Sequence, residues 1–137
     1  MNKILCIKNE ISEISRLATF IEETGEELDL PMPLIMSLNL VLEEAVSNII
    51  LYAYPQRMGE EITIQVDKSD TMLVFTITDS GVEFDPTQVV EADVTLSAEE
   101  RPIGGLGIYL IKKIMNEVEY QRVEGNNVFT LKKILNQ

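Results

Sequence analysis

The chain has 137 residues, a formal net charge of −12, one cysteine and no histidine. Its length suits one domain spanning residues 1–137, and its content of large apolar residues excludes an intrinsically disordered chain. The missing histidine excludes a Ser-His-Asp triad and a histidine-ligated zinc site, and the single cysteine excludes an internal disulfide. The acidic charge disfavours nucleic acid as a partner, and no apolar run reaches the ~18 residues of a membrane span. We therefore expect a soluble, cytoplasmic domain.

Hydrophobic periodicity and turn residues predict eight elements along the chain. In order they are a strand at 3–8, a helix at 10–28 with Asn9 as N-cap, a helix at 33–53, strands around 62–66 and 73–77, a helix from Gly107 to Asn116, and strands at 118–124 and 127–135 joined at Gly125-Asn126. A loop with one helical turn near 87–91 occupies the stretch between Asp79 and Gly107. Hairpins combined with helices predict an α+β, two-layer α/β sandwich with a mixed, mostly antiparallel sheet and helices on one face.

The first group of chemically capable residues lies on the second predicted helix. At 100° per residue, Glu44 and Asn48 lie one turn apart at the edge of the buried stripe, whereas Glu43 points toward solvent. A carboxylate and a carboxamide in this position can accept a proton and ligate a hard cation such as Mg²⁺. A solvated glutamate and an asparagine at a helix edge is the plainer interpretation.

The second group is the tetrapeptide Thr78-Asp79-Ser80-Gly81, at the end of a predicted strand. Asp79 has the parity of Leu73, Phe75 and Ile77, so it faces the core side of the sheet. A buried carboxylate needs hydrogen-bond donors, which a ligand at a strand end can supply. The same residues also form an ordinary turn.

The third group is a glycine-rich segment, Arg101-Pro102-Ile103-Gly104-Gly105-Leu106-Gly107-Ile108, which leads into a helix. Backbone N–H groups at a helix start bind anions, and the helix dipole favours this. The segment lacks the Gly-Lys-Ser/Thr of a P-loop, and a flexible connector is the plainer interpretation.

The order and spacing of these groups resemble the GHKL ATPase superfamily with its Bergerat nucleotide-binding fold, and more narrowly the bacterial anti-sigma-factor serine/threonine kinases. Residues 44–48 resemble the N box of that family, residues 79–86 its G1 box, and residues 104–111 its G2 box. The resemblance covers nearly the whole chain.

The resemblance implies a role for each matching residue. Glu44 would be the general base, Asn48 the Mg²⁺ ligand, and Asp79 the acceptor for the adenine amine. A lid hinge and phosphate cradle would come from Gly104, Gly105 and Gly107, with Arg101 reaching the phosphates from the lid. The other residues that it places around ATP are Tyr52, Gly81, Phe84, Leu106, Ile108 and Asn127.

Three positions depart from the family pattern. Glu83 stands where the G1 box has its second glycine, and Tyr52 where the family has a histidine. Asn127 stands at the place of an adenine-side threonine near the last strand. Its parity with Phe129 lets it face inward, although a hairpin-turn residue is the plainer interpretation.

The resemblance implies a kinase that phosphorylates a serine on a STAS-type antagonist protein and also binds a sigma factor. It also implies a homodimer through the N-terminal strand and first helix. A nucleotide-gated binding switch with weak or no phosphotransfer is the alternative. The catalytic domain of a histidine kinase is disfavoured because the chain has no histidine to phosphorylate.

Overall fold

The computed structural model describes residues 2–54, 59–88 and 105–135. Within them, three α-helices and five strands follow one another along the chain. The strands are β1 (Asn2–Lys8), β2 (Glu61–Lys68), β3 (Met72–Asp79), β4 (Glu117–Val123) and β5 (Asn126–Ile134). The helices are α1 (Ile14–Glu27), α2 (Met32–Asn48) and α3 (Gly105–Ile114), with 3-10 turns at Ile11–Glu13 and Pro86–Gln88 and a π-helical turn at Ile49–Ala53.

The sheet has the strand order β1-β2-β3-β5-β4, and each neighbouring pair among the described strands is antiparallel. This confirms the α+β fold class and corrects the predicted mixed sheet. The chain returns from β3 through α3 to the sheet edge at β4. The hairpin then places β5 beside β3 in the opposite direction, so no crossover creates a parallel pair here.

The core lies between one face of the sheet and the helices. Alternate residues of β2 and β3 are buried, as their period-two pattern predicts: Ile62, Ile64, Val66, Leu73, Phe75, Ile77 and Asp79. The middle helix, α2, contacts both α1 and α3. Its residues Leu38, Val41, Leu42 and Val46 are at most 1% exposed. The sheet therefore presents the end of β3 to the same side as α2.

The stretch Met32–Ala53 is long and apolar enough to cross a membrane by length and composition alone, with a mean hydropathy of 1.6. It is the only such helix among the described residues. Its buried side chains belong to the main core cluster, beside those of β2 and β3. We therefore interpret it as the core helix of the domain.

Several element boundaries differ from the predicted ones. Asn9 does not cap the first helix, because its Oδ1 accepts a hydrogen bond from the N–H of Glu60 at 2.9 Å. The second helix changes to a π-helical turn after Asn48, and α3 begins at Gly105 instead of Gly107. The β4–β5 hairpin turns over Glu124-Gly125, one residue earlier than predicted, with a φ of 50° at Glu124 and 84° at Gly125.

Candidate functional site

Glu44 and Asn48 on α2 meet Gly107 in the first turn of α3. A Cβ built on Gly107 would lie 2.6 Å from Oε2 of Glu44 and 3.3 Å from Nδ2 of Asn48. The helical phase predicted for Glu44 and Asn48 is therefore confirmed. A Cβ at residue 107 would displace the Glu44 carboxylate, so the carboxylate and the carboxamide lie against the start of a helix.

The start of α3 is suited to an anion because its first backbone N–H groups have no partner within the helix. Gly105 is helical and Gly107 is buried. The side chain of Ile108, 1% exposed, packs in the core, which leaves its backbone for any ligand. Arg101 and Gly104 lie outside the described residues, as does the side chain of Leu106.

The π-helical turn connects the end of α2 to the loop after β3. The carbonyl oxygen of Ala53 accepts a hydrogen bond from the N–H of Val82 at 2.8 Å. A Cβ on Gly81 would collide with that same carbonyl group, so the close approach requires glycine. The Tyr54 hydroxyl oxygen accepts a hydrogen bond from the N–H of Ser80 at 2.7 Å. These contacts fix the 80–82 loop beside the helix that carries Glu44 and Asn48.

Asp79 ends β3 facing inward, as its parity predicts, and is 3% exposed. Its Oδ1 accepts hydrogen bonds from the N–H of Gly81 at 2.9 Å and from Nδ2 of Asn127 at 2.8 Å. Burial raises the pKa of the Asp79 carboxyl, although those two donors and the charge of Arg122 act in the opposite direction. A buried carboxyl at a strand end can accept a hydrogen bond from an amine on a ligand.

Asn127 lies directly opposite Asp79 in the β3–β5 register and is 2% exposed. It is therefore an inward-facing strand residue and not part of the hairpin turn. Its side chain also bonds to the loop after β3 and to β4, through Phe84 and Arg122 among others. The inward orientation that the parity of Asn127 allows is observed, and the plainer interpretation as a hairpin-turn residue is wrong.

The rings of Tyr52, in the π-helical turn, and Phe84, in the loop after β3, are neighbours. Their ring centroids are 5.8 Å apart and the ring planes are inclined by 40°. Both side chains are half-buried, so part of each ring remains accessible. Aromatic faces of this kind can cover a flat heteroaromatic ligand.

Three residues of this region were not predicted from the sequence: Tyr54, Tyr120 and Arg122. Arg122 donates from Nη1 to the carbonyl oxygen of Gly81 at 2.9 Å and to Oδ1 of Asn127 at 3.0 Å. The predicted hairpin over Gly125-Asn126 would pair Arg122 with Phe129, whereas the observed register pairs Arg122 with Asn127. The exact strand register was therefore needed to predict this contact.

The donor set also bears on metal binding. Among the described residues, no group of three or more aspartate, glutamate, cysteine or histidine side chains could hold a metal ion. Mg²⁺ usually takes one or two protein oxygen ligands and completes its shell with water and substrate phosphates. The pair of Glu44 and Asn48 beside a helix start fits that mode of binding.

Comparisons with known proteins agree with this geometry. Residues 7–133 match the family described as the histidine kinase-like ATPase domain. The serine-protein kinase RsbW of Bacillus cereus is 33% identical over 104 residues, which are 73% of this chain and 64% of that protein. RsbW of Bacillus anthracis is 32% identical over the same extent. The alignment thus spans less than two thirds of these relatives' length. Because the family match covers nearly the whole chain, this protein belongs to the histidine kinase-like ATPase (GHKL) family.

Proposed function

We propose that this protein is a cytoplasmic, ATP-dependent serine/threonine-protein kinase that acts as an anti-sigma factor and phosphorylates a serine of a STAS-type antagonist. The main support is the cluster of Glu44, Asn48 and Gly107, which places a carboxylate and a carboxamide against the start of α3. The 33% identity to serine-protein kinases supports the same reaction class.

The residues present fit ATP at both ends. Asp79 is a buried hydrogen-bond acceptor for the adenine amine, and Tyr52 and Phe84 offer ring faces beside the loop that follows it. Gly107 lacks the Cβ that would fill the space between α3 and Glu44, so a phosphate can approach the helix start. Gly81, held against Ala53, keeps the loop close to α2.

In this proposal Glu44 and Asn48 have different roles in phosphotransfer. Glu44 accepts the proton of the attacking serine hydroxyl as general base. Asn48 supplies an oxygen ligand to Mg²⁺, which when bound neutralises phosphate charge. A pure binding module has no need for a carboxylate next to its metal ligand, so Glu44 favours a kinase over a switch. In the family pattern Arg101, Gly104 and Gly105 would belong to the lid side of the site, although Arg101 and Gly104 lie outside the described residues.

We also propose that the protein is a homodimer through β1 and α1. β1 is an edge strand, with backbone groups that have no neighbouring strand among the described elements on its outer side. Ile4 is 59% exposed on this strand, and edge strands of this kind tend to be covered or paired. Light scattering at micromolar concentration should give the mass of two chains, and a monomer in all nucleotide states would contradict this.

The test of the kinase proposal is incubation with MgATP and candidate STAS proteins, followed by intact-mass analysis. We expect the STAS protein to gain one phosphoryl group. Glu44→Ala should slow this transfer by about 10²- to 10⁴-fold while leaving ATP binding largely intact. Glu43→Ala, the matched control on the same helix, should retain activity.

Two outcomes would contradict the assignment. If the wild-type protein binds MgATP but transfers nothing to any STAS partner, the protein is a nucleotide-gated switch. If Glu43→Ala abolishes transfer and Glu44→Ala does not, Glu44 is not the general base.

A further inference from the structure

The side chain of Asn127 uses its amide group entirely within the protein. Its Nδ2 donates one hydrogen bond to Oδ1 of Asp79 and another to the carbonyl oxygen of Val82, both at 2.8 Å. A carboxamide nitrogen carries two hydrogens, so both are used. Asn127 therefore has no donor left for a ligand.

The carboxamide oxygen is also fully engaged. Oδ1 of Asn127 accepts hydrogen bonds from the Tyr120 hydroxyl at 2.5 Å, from Nη1 of Arg122 at 3.0 Å and from the N–H of Phe84 at 3.2 Å. Arg122 also holds the carbonyl oxygen of Gly81 at 2.9 Å. These three donors fix which way the carboxamide points, because a flipped side chain would present its NH₂ group to them.

This orientation has a consequence for Asp79. Burial raises the pKa of the Asp79 carboxyl, but the donor directed at its Oδ1 and the nearby positive charge of Arg122 act against burial and favour the ionised carboxylate. An ionised carboxylate only accepts hydrogen bonds, whereas a protonated carboxyl can also donate. A purine with a 6-amino group therefore gains a bond from Asp79, and a purine with a 6-keto group meets repulsion between two acceptors.

We propose that Asn127 is a positioning residue for purine specificity: held by Tyr120 and Arg122, it keeps Asp79 an acceptor and so selects 6-amino over 6-keto purine nucleotides. This rests on the proposed function, in which Asp79 receives the purine. Asn127 acts through Asp79 and the 81–84 loop and does not contact the nucleotide itself.

The test compares MgATP with MgITP, which differs at position 6 of the purine, by isothermal titration. The wild-type protein should prefer ATP by at least about tenfold. Asn127→Asp changes one atom, removes the donor and puts a second carboxyl against Asp79, which favours the protonated form of Asp79. A protonated Asp79 can donate a hydrogen bond to the 6-keto oxygen of ITP. The preference of this variant for ATP should fall to about threefold or less. An Asn127→Asp protein that folds and keeps the wild-type preference would overturn the proposal.

A second variant covers the case in which Asn127→Asp does not fold. Arg122 is exposed, so Arg122→Gln should fold while loosening both Asn127 and Gly81. It should reduce the ATP preference, whereas Gln121→Ala, its exposed neighbour on β4, should leave it unchanged. An unchanged preference in Arg122→Gln would also overturn the proposal.

Amide hydrogen exchange tests the positioning role without any nucleotide. In Arg122→Gln the Phe84 amide, which donates to Asn127, should exchange faster than in the wild-type protein. The Thr87 amide, held by its own Asp85 at 2.9 Å, should keep its rate. Equal exchange at Phe84 in both proteins contradicts the positioning role. Failure of the wild-type protein to distinguish ATP from ITP instead refutes the adenine assignment of Asp79.

Discussion

Replacing Asp79 with asparagine should separate nucleotide recognition from stability. The carboxyl is 3% exposed, and its Oδ1 accepts two protein hydrogen bonds that an asparagine oxygen can also accept. The new NH₂ group would face the adenine amine with a donor. A hydrogen bond to an ionised group contributes about 1.5–3 kcal/mol, so Asp79→Asn should weaken MgATP binding by about 10- to 150-fold.

The same substitution should not destabilise the fold at neutral pH, since it removes a buried charge. Burial raises the pKa of Asp79 above 3.8, so the folded state binds the proton more tightly than the unfolded state. The stability that this group contributes is therefore largest below pH 3.8 and is lost as pH rises through the raised pKa. The free energy of unfolding of Asp79→Asn, relative to wild type, should rise with pH.

Titration calorimetry and urea unfolding at several pH values measure both effects. A variant that binds MgATP as tightly as the wild-type protein would refute the role of Asp79. A relative stability that falls with increasing pH would refute the inferred direction of its pKa. Loss of binding accompanied by a large loss of stability at neutral pH would show that the residue is structural.

Three further substitutions test other parts of the structure. Gly107→Ala places a Cβ 2.6 Å from Oε2 of Glu44. The rate of phosphotransfer should therefore fall at least about tenfold without loss of thermal stability, and wild-type activity would contradict the close approach of Glu44 to residue 107. Thr24→Val removes a buried hydroxyl that has no partner in the described structure, and should raise the free energy of unfolding by about 1 kcal/mol in urea titrations. Glu124 has a φ of 50° before Gly125, a backbone conformation that asparagine tolerates better than glutamate. Glu124→Asn should therefore stabilise the hairpin by about 0.5–1 kcal/mol, and a lower urea midpoint of unfolding would contradict the inferred backbone strain at this residue.

Local periodicity predicted much of the fold and the positions of the main candidate residues. The alternation of β3 was sufficient to place Asp79 on the core face, because side chains in a strand alternate strictly. The helical phase of α2 was sufficient to place Glu44 and Asn48 on one edge, where α3 brings Gly107 to them. Both predictions depend only on geometry within a single element.

Features that depend on contacts between elements were missed. The π-helical turn at Ile49–Ala53 lies in a continuous apolar run, where a change of helical period leaves no pattern. In the sequence, Arg122 is not distinguishable from any other exposed strand residue. Its contacts with Gly81 and Asn127 follow only from the strand order β3-β5-β4. The fully antiparallel sheet follows from that same order, which local periodicity does not contain.

Paramagnetic NMR tests most directly whether the edge of α2 and the start of α3 hold a metal–nucleotide complex. Substoichiometric MnATP, in which Mn²⁺ replaces Mg²⁺, broadens signals near the metal. We expect the side-chain amide of Asn48 and the backbone amide of Gly107 to broaden first, while the side-chain amide of Gln65, on β2, stays sharp. Sharp signals at Asn48 and Gly107 under saturating MnATP would contradict the account.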